Sequence, residues 1–238
     1  MNILVIGGAG YIGAHVVHDL VEEGHHVIVF DNLSSGFKEN LPENCNFIQG
    51  DILNIVELNA ALKEDIDAVF HFAAKKAAGE SMVDVRSFSQ TNISGTINIL
   101  DTMVECKVNN IIFSSTAAVY GEPEYLPMDE SHPTVPTNYY GFTKLTIEAL
   151  LQWYSNIHEI NFASLRYFNA VGYDVDNRIS TPEKSPQNLF PIIMEVLSGE
   201  RESMDLYGND YDTPDGTCIR DYIHVNDLSV AHVKALTF

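Results

Sequence analysis

The sequence predicts a doubly wound α/β fold, a parallel sheet with helices on both faces. Three observations carry that prediction. Short β-branched apolar runs alternate with segments of helical periodicity along most of the 238 residues. Those runs are almost continuously apolar, as strands covered on both faces are. A glycine-rich turn, Gly7-Gly8-Ala9-Gly10-Tyr11-Ile12-Gly13, joins the first run to the first helical segment.

The elements follow in order. Asn2 to Ile6 is a buried strand closed by glycines. Tyr11 to Glu23 carries Ile12, Val16, Leu20 and Val21 at helical spacing, and Gly24 stops it. Val27 to Phe30 is the next strand, ending at Asp31. Asn46 to Gln49 and Ala68 to His71 are strands around a helix near Ile55 to Lys63. One long helix is predicted over Val83 to Cys106. Asn110 to Ser114 is a strand, Tyr140 to Ser155 a helix with Trp153 in the core, and Phe162 to Arg166 a strand. The alternation loosens after Gly172. Asn177 to Gln187, with Pro182 and Pro186, reads as a loop, Asn188 to Leu197 as a helix, and Arg220 to Val225 as a short strand. Asp227 is placed as the N-cap of a last helix through Leu228, Ala231, Val233, Lys234 and Leu236. The expected division is a dinucleotide-binding domain at 1–172 and an incomplete smaller lobe at 173–238, with one segment returning to the first domain.

Composition narrows the function classes. With 45 % hydrophobic residues the chain can build a core, which excludes a mostly disordered protein. Thirteen basic against 33 acidic residues give a net charge of −20, which argues against nucleic acid or an anionic membrane as the main partner. No apolar run approaches the roughly 18 residues of a membrane span. Met1 to Ile6 lacks a basic flank and is not a signal peptide. Cys45, Cys106 and Cys218 form no CxxC pair, so free thiols in the cytoplasm are expected, with no metal site.

Two constellations carry chemistry. The glycine turn gives a tight bend, close approach of a pyrophosphate, and a helix N-terminus with N–H groups and a positive dipole end for phosphates. Asp31 lies 18 positions past Gly13. That is near the spacing of about 20 at which an acid holds a ribose 2′-OH and repels a 2′-phosphate. NAD is therefore expected over NADP. The second constellation is Tyr140-Gly141-Phe142-Thr143-Lys144 at a helix start. Spacing i, i+4 puts both side chains on one face, where the ammonium should lower the phenol pKa. Such a tyrosine can take a proton from a sugar hydroxyl. Ser114-Ser115-Thr116 follows a strand at its carboxyl end, and Thr116 can share the proton. Tyr139 is a decoy, because Thr143 and not a lysine stands four positions on.

These features resemble the extended short-chain dehydrogenase/reductase family. The resemblance runs along the whole chain through GGAGYIGAH, VFDNLSSG, HFAAKKAAGES, FSSTAAVYG, NYYGFTK, LRYFNAVG and GNDYDTPDGTCIRDYIHVNDL. The last stretch is similar to members that interconvert UDP-galactose and UDP-glucose through a 4-keto sugar, with NAD held throughout. The resemblance implies a Rossmann-type fold and an NAD site lined by Gly7, Gly10, Tyr11, Ile12, Gly13, Asp31, Asn32, Ser35, Gly36, Asp51, Ile52, Phe72, Ala73, Ala74, Lys76, Asn92 and Phe168. It implies Thr116, Tyr140 and Lys144 as the catalytic trio. It also implies Asn169, Asn188, Leu189, Tyr207 and Arg220 as substrate contacts, Arg220 gripping the pyrophosphate with its fork.

Departures from the family pattern are local except at the end. Thr116 replaces a common serine and keeps the hydroxyl. Lys75-Lys76 presents two lysines where one is usual, Lys76 being the aligned one. Relatives continue past Phe238, so the chain reads as C-terminally truncated, with an exposed apolar patch and weak or absent turnover expected. A UDP-sugar decarboxylase or other epimerase, and an inert NAD-binding homologue, stay open as alternatives. A 4,6-dehydratase lacks its acid, since Ala117-Ala118-Val119 follow Thr116. The chain could also assemble as a homodimer.

Overall fold

Six strands form one sheet in which every neighbouring pair is parallel. They are β1 (Asn2–Ile6), β2 (His26–Asp31), β3 (Asn46–Gln49), β4 (Ala68–His71), β5 (Asn110–Ser114) and β6 (Asn161–Leu165), in the spatial order β3-β2-β1-β4-β5-β6. This is the doubly wound α/β order, and its direction reverses between β1 and β4, where such sheets open a ligand crevice. The structure, a computed structural model, describes residues 1–63, 65–181, 186 and 188–237. The helices are α1 (Tyr11–Glu22), α2 (Ile55–Leu62), α3 (Ala78–Ser81), α4 (Val85–Phe88), α5 (Gly95–Cys106), α6 (Tyr139–His158), α7 (Leu189–Ser198) and α8 (Val225–Lys234). Strands β7 (Asn169–Val171) and β8 (Tyr222–His224) make a separate parallel pair.

Alternation along the strands builds two apolar layers. On one face Ile3 and Val5 of β1 meet Val16, Val17 and Leu20 of α1 and Val233 of α8. On the other, Leu4 and Ile6 join Leu58 and Leu62 of α2, Ile99 and Met103 of α5, and Ile147 and Leu151 of α6. Each such side chain contributes about 1.5–3 kcal/mol through burial. Because both faces are covered, each strand reads as a continuous apolar run.

The expected elements are present with four differences. The long helix over Val83 to Cys106 starts at Val85, with the Asp84 carboxylate accepting from the Ser87 N–H, and widens into a π turn over Ser89–Ser94. Trp153 is 64 % exposed and is not a core residue. It lies two positions past the buried Leu151, which on a helix of 3.6 residues per turn is the opposite face. The last helix begins at Val225 and not after Asp227. The His224 ring takes the N-cap position and accepts from the Asn226 N–H at 3.2 Å, while Asp227 sits in the first turn, where the helix dipole favours it. β8 is shorter than the predicted strand, Val225 already being helical. Of the predicted Asn177–Gln187 loop, residues 182–185 and 187 lie outside the described residues. His15, His18 and His71 are buried.

One ion cluster clips the segment after β7 onto the sheet's helices. The Arg178 guanidinium donates to Asp174 at 2.7 Å, to Asp19 of α1 at 3.1 Å and to Glu22 of α1 at 2.8 Å. Asn226 and Ser229 of α8 donate to Asp174 and Asp19. The Asp174 carboxyl is thereby held well below the usual carboxylate range, against the opposing effect of its burial. A depressed folded-state pKa gives stability that is present above the unfolded value of about 3.9 and lost as pH falls below it. Asp174→Asn is expected to cost up to about 3 kcal/mol at neutral pH in urea unfolding. It should also flatten the acid limb of a Tm-against-pH curve.

Candidate active site

The glycine turn sits at the switch point and cannot hold larger residues. Gly7 has φ +81°, and a Cβ there would lie 2.4 Å from the Ala73 backbone nitrogen at the end of β4. A Cβ on Gly13 would lie 2.4 Å from the Gly7 carbonyl oxygen. Gly10 takes the N-cap of α1 and, as a glycine, offers the first-turn N–H groups no side-chain acceptor, which leaves them to an anion. The Ile12 side chain packs into the α1-side core, and the Tyr11 hydroxyl donates to the Gly172 carbonyl at 2.6 Å. Tyr11 thus ties the turn to the segment after β7.

The loop after β2 is tied to the same turn. Asp31, at the end of β2, accepts from the Ala9 N–H at 3.0 Å and the Leu33 N–H at 2.7 Å. Burial pushes its carboxyl upward, against both hydrogen bonds. The Phe37 N–H donates to the Ala9 carbonyl at 3.0 Å, which draws Gly36 over the turn with exposed Asn32 and Ser35 on the rim. Asn32 donates to Asp51 at 2.9 Å, so the ends of β2 and β3 are joined. Ile52 is buried against Gly95 of α5.

Phe72, Ala73, Ala74 and Lys76 follow β4. Asn92, fully buried in the π turn, clamps this segment. Its carbonyl accepts from the Lys75 N–H at 2.8 Å, and its amide donates to the Lys75 carbonyl and to the Thr143 hydroxyl, each at 3.0 Å. The side chain assigned to cofactor contact is therefore spent within the protein, joining the β4 segment to α6. Lys75 is a latch, with its ammonium 3.0 Å from Glu80.

The catalytic trio is assembled at the carboxyl end of β5. Lys144 is 3 % exposed and donates to the Ser114 carbonyl at 2.8 Å. Its ammonium lies 5.9 Å from the centre of the Tyr140 ring and 4.7 Å from that of Phe113. The Thr116 hydroxyl accepts from the Ala118 N–H at 3.2 Å and stands near enough to the Tyr140 phenol to favour its anion. The expectation that Lys144 lowers the Tyr140 pKa is overturned in this structure. Burial pushes the phenol well above its ordinary range, Tyr167 adds to that, and the Thr116 hydroxyl opposes it. Burial also pushes Lys144 down to about 7, against a nearby Glu148. Desolvation penalises the charged form of each and is the largest effect on both. Tyr139, the decoy, turns its hydroxyl to Ser89 at 2.7 Å.

Four residues absent from the sequence reading support the trio. The Tyr140 N–H donates to Ser81 at 3.0 Å, and the Tyr167 hydroxyl shares a hydrogen bond with Ser114 at 2.7 Å. Ser115 donates to Glu148, which pairs with Arg166 at 2.6 Å. Glu148 was findable, since it repeats the Tyr-x-x-x-Lys interval once more. The others come from distant segments.

The substrate candidates are spread over the second lobe. Asn169 opens β7, and its side chain and N–H both donate to the Asp221 carbonyl, at 2.8 and 3.1 Å, next to Arg220. Asn188 is the N-cap of α7 and Leu189 its first residue, both exposed. Phe190 meets Tyr222 edge-on at 5.3 Å, which holds α7 against β8. Phe168 is partly exposed beside β7, whereas Tyr207 is 95 % exposed and Arg220 bonds only the Ile219 carbonyl among its described contacts. The structure thus brings the dinucleotide turn, the β2 loop, the β4 segment and the trio together, and leaves Tyr207 and Arg220 on the surface. Asn92→Ala removes the side-chain partner of both the Lys75 N–H and the Lys75 carbonyl and leaves the Thr143 hydroxyl without its donor. It is expected to lower stability by about 2–3 kcal/mol in urea unfolding.

Comparison with known proteins agrees with this geometry. The sequence matches the NAD dependent epimerase/dehydratase family over residues 3–238. It is 46 % identical over 236 residues to the UDP-glucose 4-epimerase of Halalkalibacterium halodurans, covering 99 % of this chain and 70 % of that protein. It is 42 % identical over 239 residues to that of Lacticaseibacillus casei, covering 100 % of this chain and 72 % of that one. The crystal structure of UDP-glucose 4-epimerase from Brucella ovis in complex with NAD superposes with TM-score 0.95 at 41 % identity, over 99 % of this chain and 73 % of that one. The enzyme from Bifidobacterium longum in complex with NAD⁺ and UDP gives 0.95 at 36 %, over 100 % and 74 %. Fold, site and sequence together make this chain a member of the NAD dependent epimerase/dehydratase family.

Proposed function

We propose that this chain interconverts UDP-galactose and UDP-glucose through a 4-keto sugar. The observation that carries the reading is the trio at the end of β5, at the same edge of the sheet as the glycine turn: Thr116 near Tyr140, and Lys144 on the Ser114 carbonyl 5.9 Å from the Tyr140 ring. The relatives' name and the NAD and UDP in their structures support it.

NAD fits the residues present. The first-turn N–H groups of α1 behind Gly10 would hold its phosphates, Asp31 a ribose hydroxyl, and the β4 segment with Phe168 its far end. When bound, it would supply a positively charged hydride acceptor for the sugar carbon. Tyr140 takes the proton from the sugar 4-hydroxyl and returns it after the sugar has turned over. Thr116 shares that proton and orients the oxygen. Lys144 holds the β5 terminus beside Tyr140 through the Ser114 carbonyl, and a further positive charge in the site would work against the desolvation that raises the phenol. Arg220 and Asn188 hold the nucleotide diphosphate while the sugar rotates, Arg220 by its bidentate fork.

The division into a dinucleotide domain at 1–172 and a substrate lobe at 173–238 belongs to the same proposal. It is supported by the separate β7–β8 pair and by α8 returning to pack on α1. A homodimer through α6 belongs to it as well, supported by Trp153 and Ile157, one turn apart and each 64 % exposed.

Incubating the NAD-loaded chain with UDP-galactose should yield UDP-glucose, followed by coupled oxidation of the product. Tyr140→Phe should cut that rate by about 10²-fold or more while NAD is retained. Absence of UDP-glucose from NAD-loaded protein would refute the reading. Asp31→Ala should weaken NAD more than NADP in equilibrium binding, and an unchanged preference would remove Asp31 from the cofactor site.

A further inference from the structure

The Tyr-Lys pair accounts for α6 only up to Lys144. One turn further along the same face stands Glu148, and its surroundings are unusual for a helix carboxylate. Its side chain is 10 % exposed. One oxygen accepts from the Ser115 hydroxyl and from Arg166 Nε at 3.1 Å. The other accepts from Arg166 Nε at 3.2 Å and Nη2 at 2.6 Å. Arg166 in turn lies over the Tyr120 ring, 5.0 Å from its centre.

The position of these partners matters more than their number. Ser115 sits between Ser114, whose carbonyl receives the Lys144 ammonium, and Thr116, whose hydroxyl stands near the Tyr140 phenol. The Glu148–Ser115 bond therefore fixes the short β5 terminus that receives the Lys144 ammonium and lies against Tyr140. The same carboxylate faces Lys144 along the helix at i, i+4. We propose that Glu148 is a positioning residue for the epimerisation assigned above: it clasps the β5 terminus through Ser115 and opposes the desolvation of Lys144, with Arg166 setting how much of its charge Lys144 feels.

The charges around Lys144 give this a definite sign. From α6 it is faced by Glu148 and the Tyr140 ring, and from β4 by the buried and neutral His71, while from beyond β6 Tyr167 bonds Ser114 and Arg166 bonds Glu148, each one contact away. Glu148 is the group that raises Lys144, while burial brings it down to about 7. Removing the Glu148 charge should lower the Lys144 pKa further. Removing the Arg166 charge should raise it, because the carboxylate is then less neutralised. A residue that only braced the fold would not shift Lys144 in opposite directions.

The test follows the Lys144 side-chain 13Cε resonance against pH in the NAD-loaded chain, beside E148Q and R166Q. E148Q should move the midpoint down and R166Q up, each on the order of half to one pH unit. Shifts of the same sign, or none, would overturn the proposal. In the unsubstituted chain the Glu148 carboxyl 13Cδ should step at the Lys144 midpoint. This keeps the test decisive if a variant does not fold, because a carboxyl insensitive to Lys144 also overturns it. With UDP-galactose, E148Q should bring the alkaline fall of kcat to lower pH with little change in KM, and an unmoved limb speaks against it. An unsubstituted chain without turnover fails the epimerase reading alone, since the resonances still decide the role of Glu148.

Discussion

The close approach of the Gly7–Gly13 turn to the end of β4 is the constraint on which the rest of this molecule depends. Backbone meets backbone there, with a Cβ on Gly7 placed 2.4 Å from the Ala73 nitrogen. The contact brings the N-terminus of α1 to the switch point of the sheet. Asp31 and Phe37 can then bridge from the β2 loop to Ala9, and the β4 segment can pass beneath. Asn92 of the π turn holds that segment and reaches Thr143 of α6, which carries Tyr140 and Lys144. The cofactor turn and the catalytic helix are distant in sequence and mechanically adjacent in space.

Most of the fold was legible because strands buried on both faces leave a strong trace. β1 to β6 all appear as apolar runs near their observed limits, and Gly7, Gly13 and Asp31 mark the crevice by spacing alone. What stayed hidden depends on long-range packing. Trp153 reads as core because it is large and apolar, yet the residues of that helix that pack on the core are Ile147, Leu150, Leu151 and Tyr154. Asp227 had the chemistry of an N-cap, but β8 delivers His224 to that place through its pairing with β7. The Asn92 clamp needs a helix one residue out of phase, which no periodicity displays.

The Tyr140–Lys144 pair shows why residue spacing does not determine acidity. Spacing put an ammonium beside a phenol, and from that alone the phenol should acidify. The fold also withdraws both groups from water, and the withdrawal is the larger effect. The protein itself therefore favours the uncharged tyrosine, and the reactive form belongs to a site with further positive charge in it.

The π turn over Ser89–Ser94 has a consequence for how this chain can change over evolutionary time. It accommodates one extra residue in an otherwise continuous helix, and such turns carry a cost in hydrogen-bond geometry. Deleting a residue there would relax the backbone and rotate one half of the helix against the other by about 100°. Asn92 would then swing away from Lys75, or α5 would lose its apolar face against α2. The indel that most improves the helix is thus the one the enzyme can least accept, and length is locked at a point where no individual side chain reveals it.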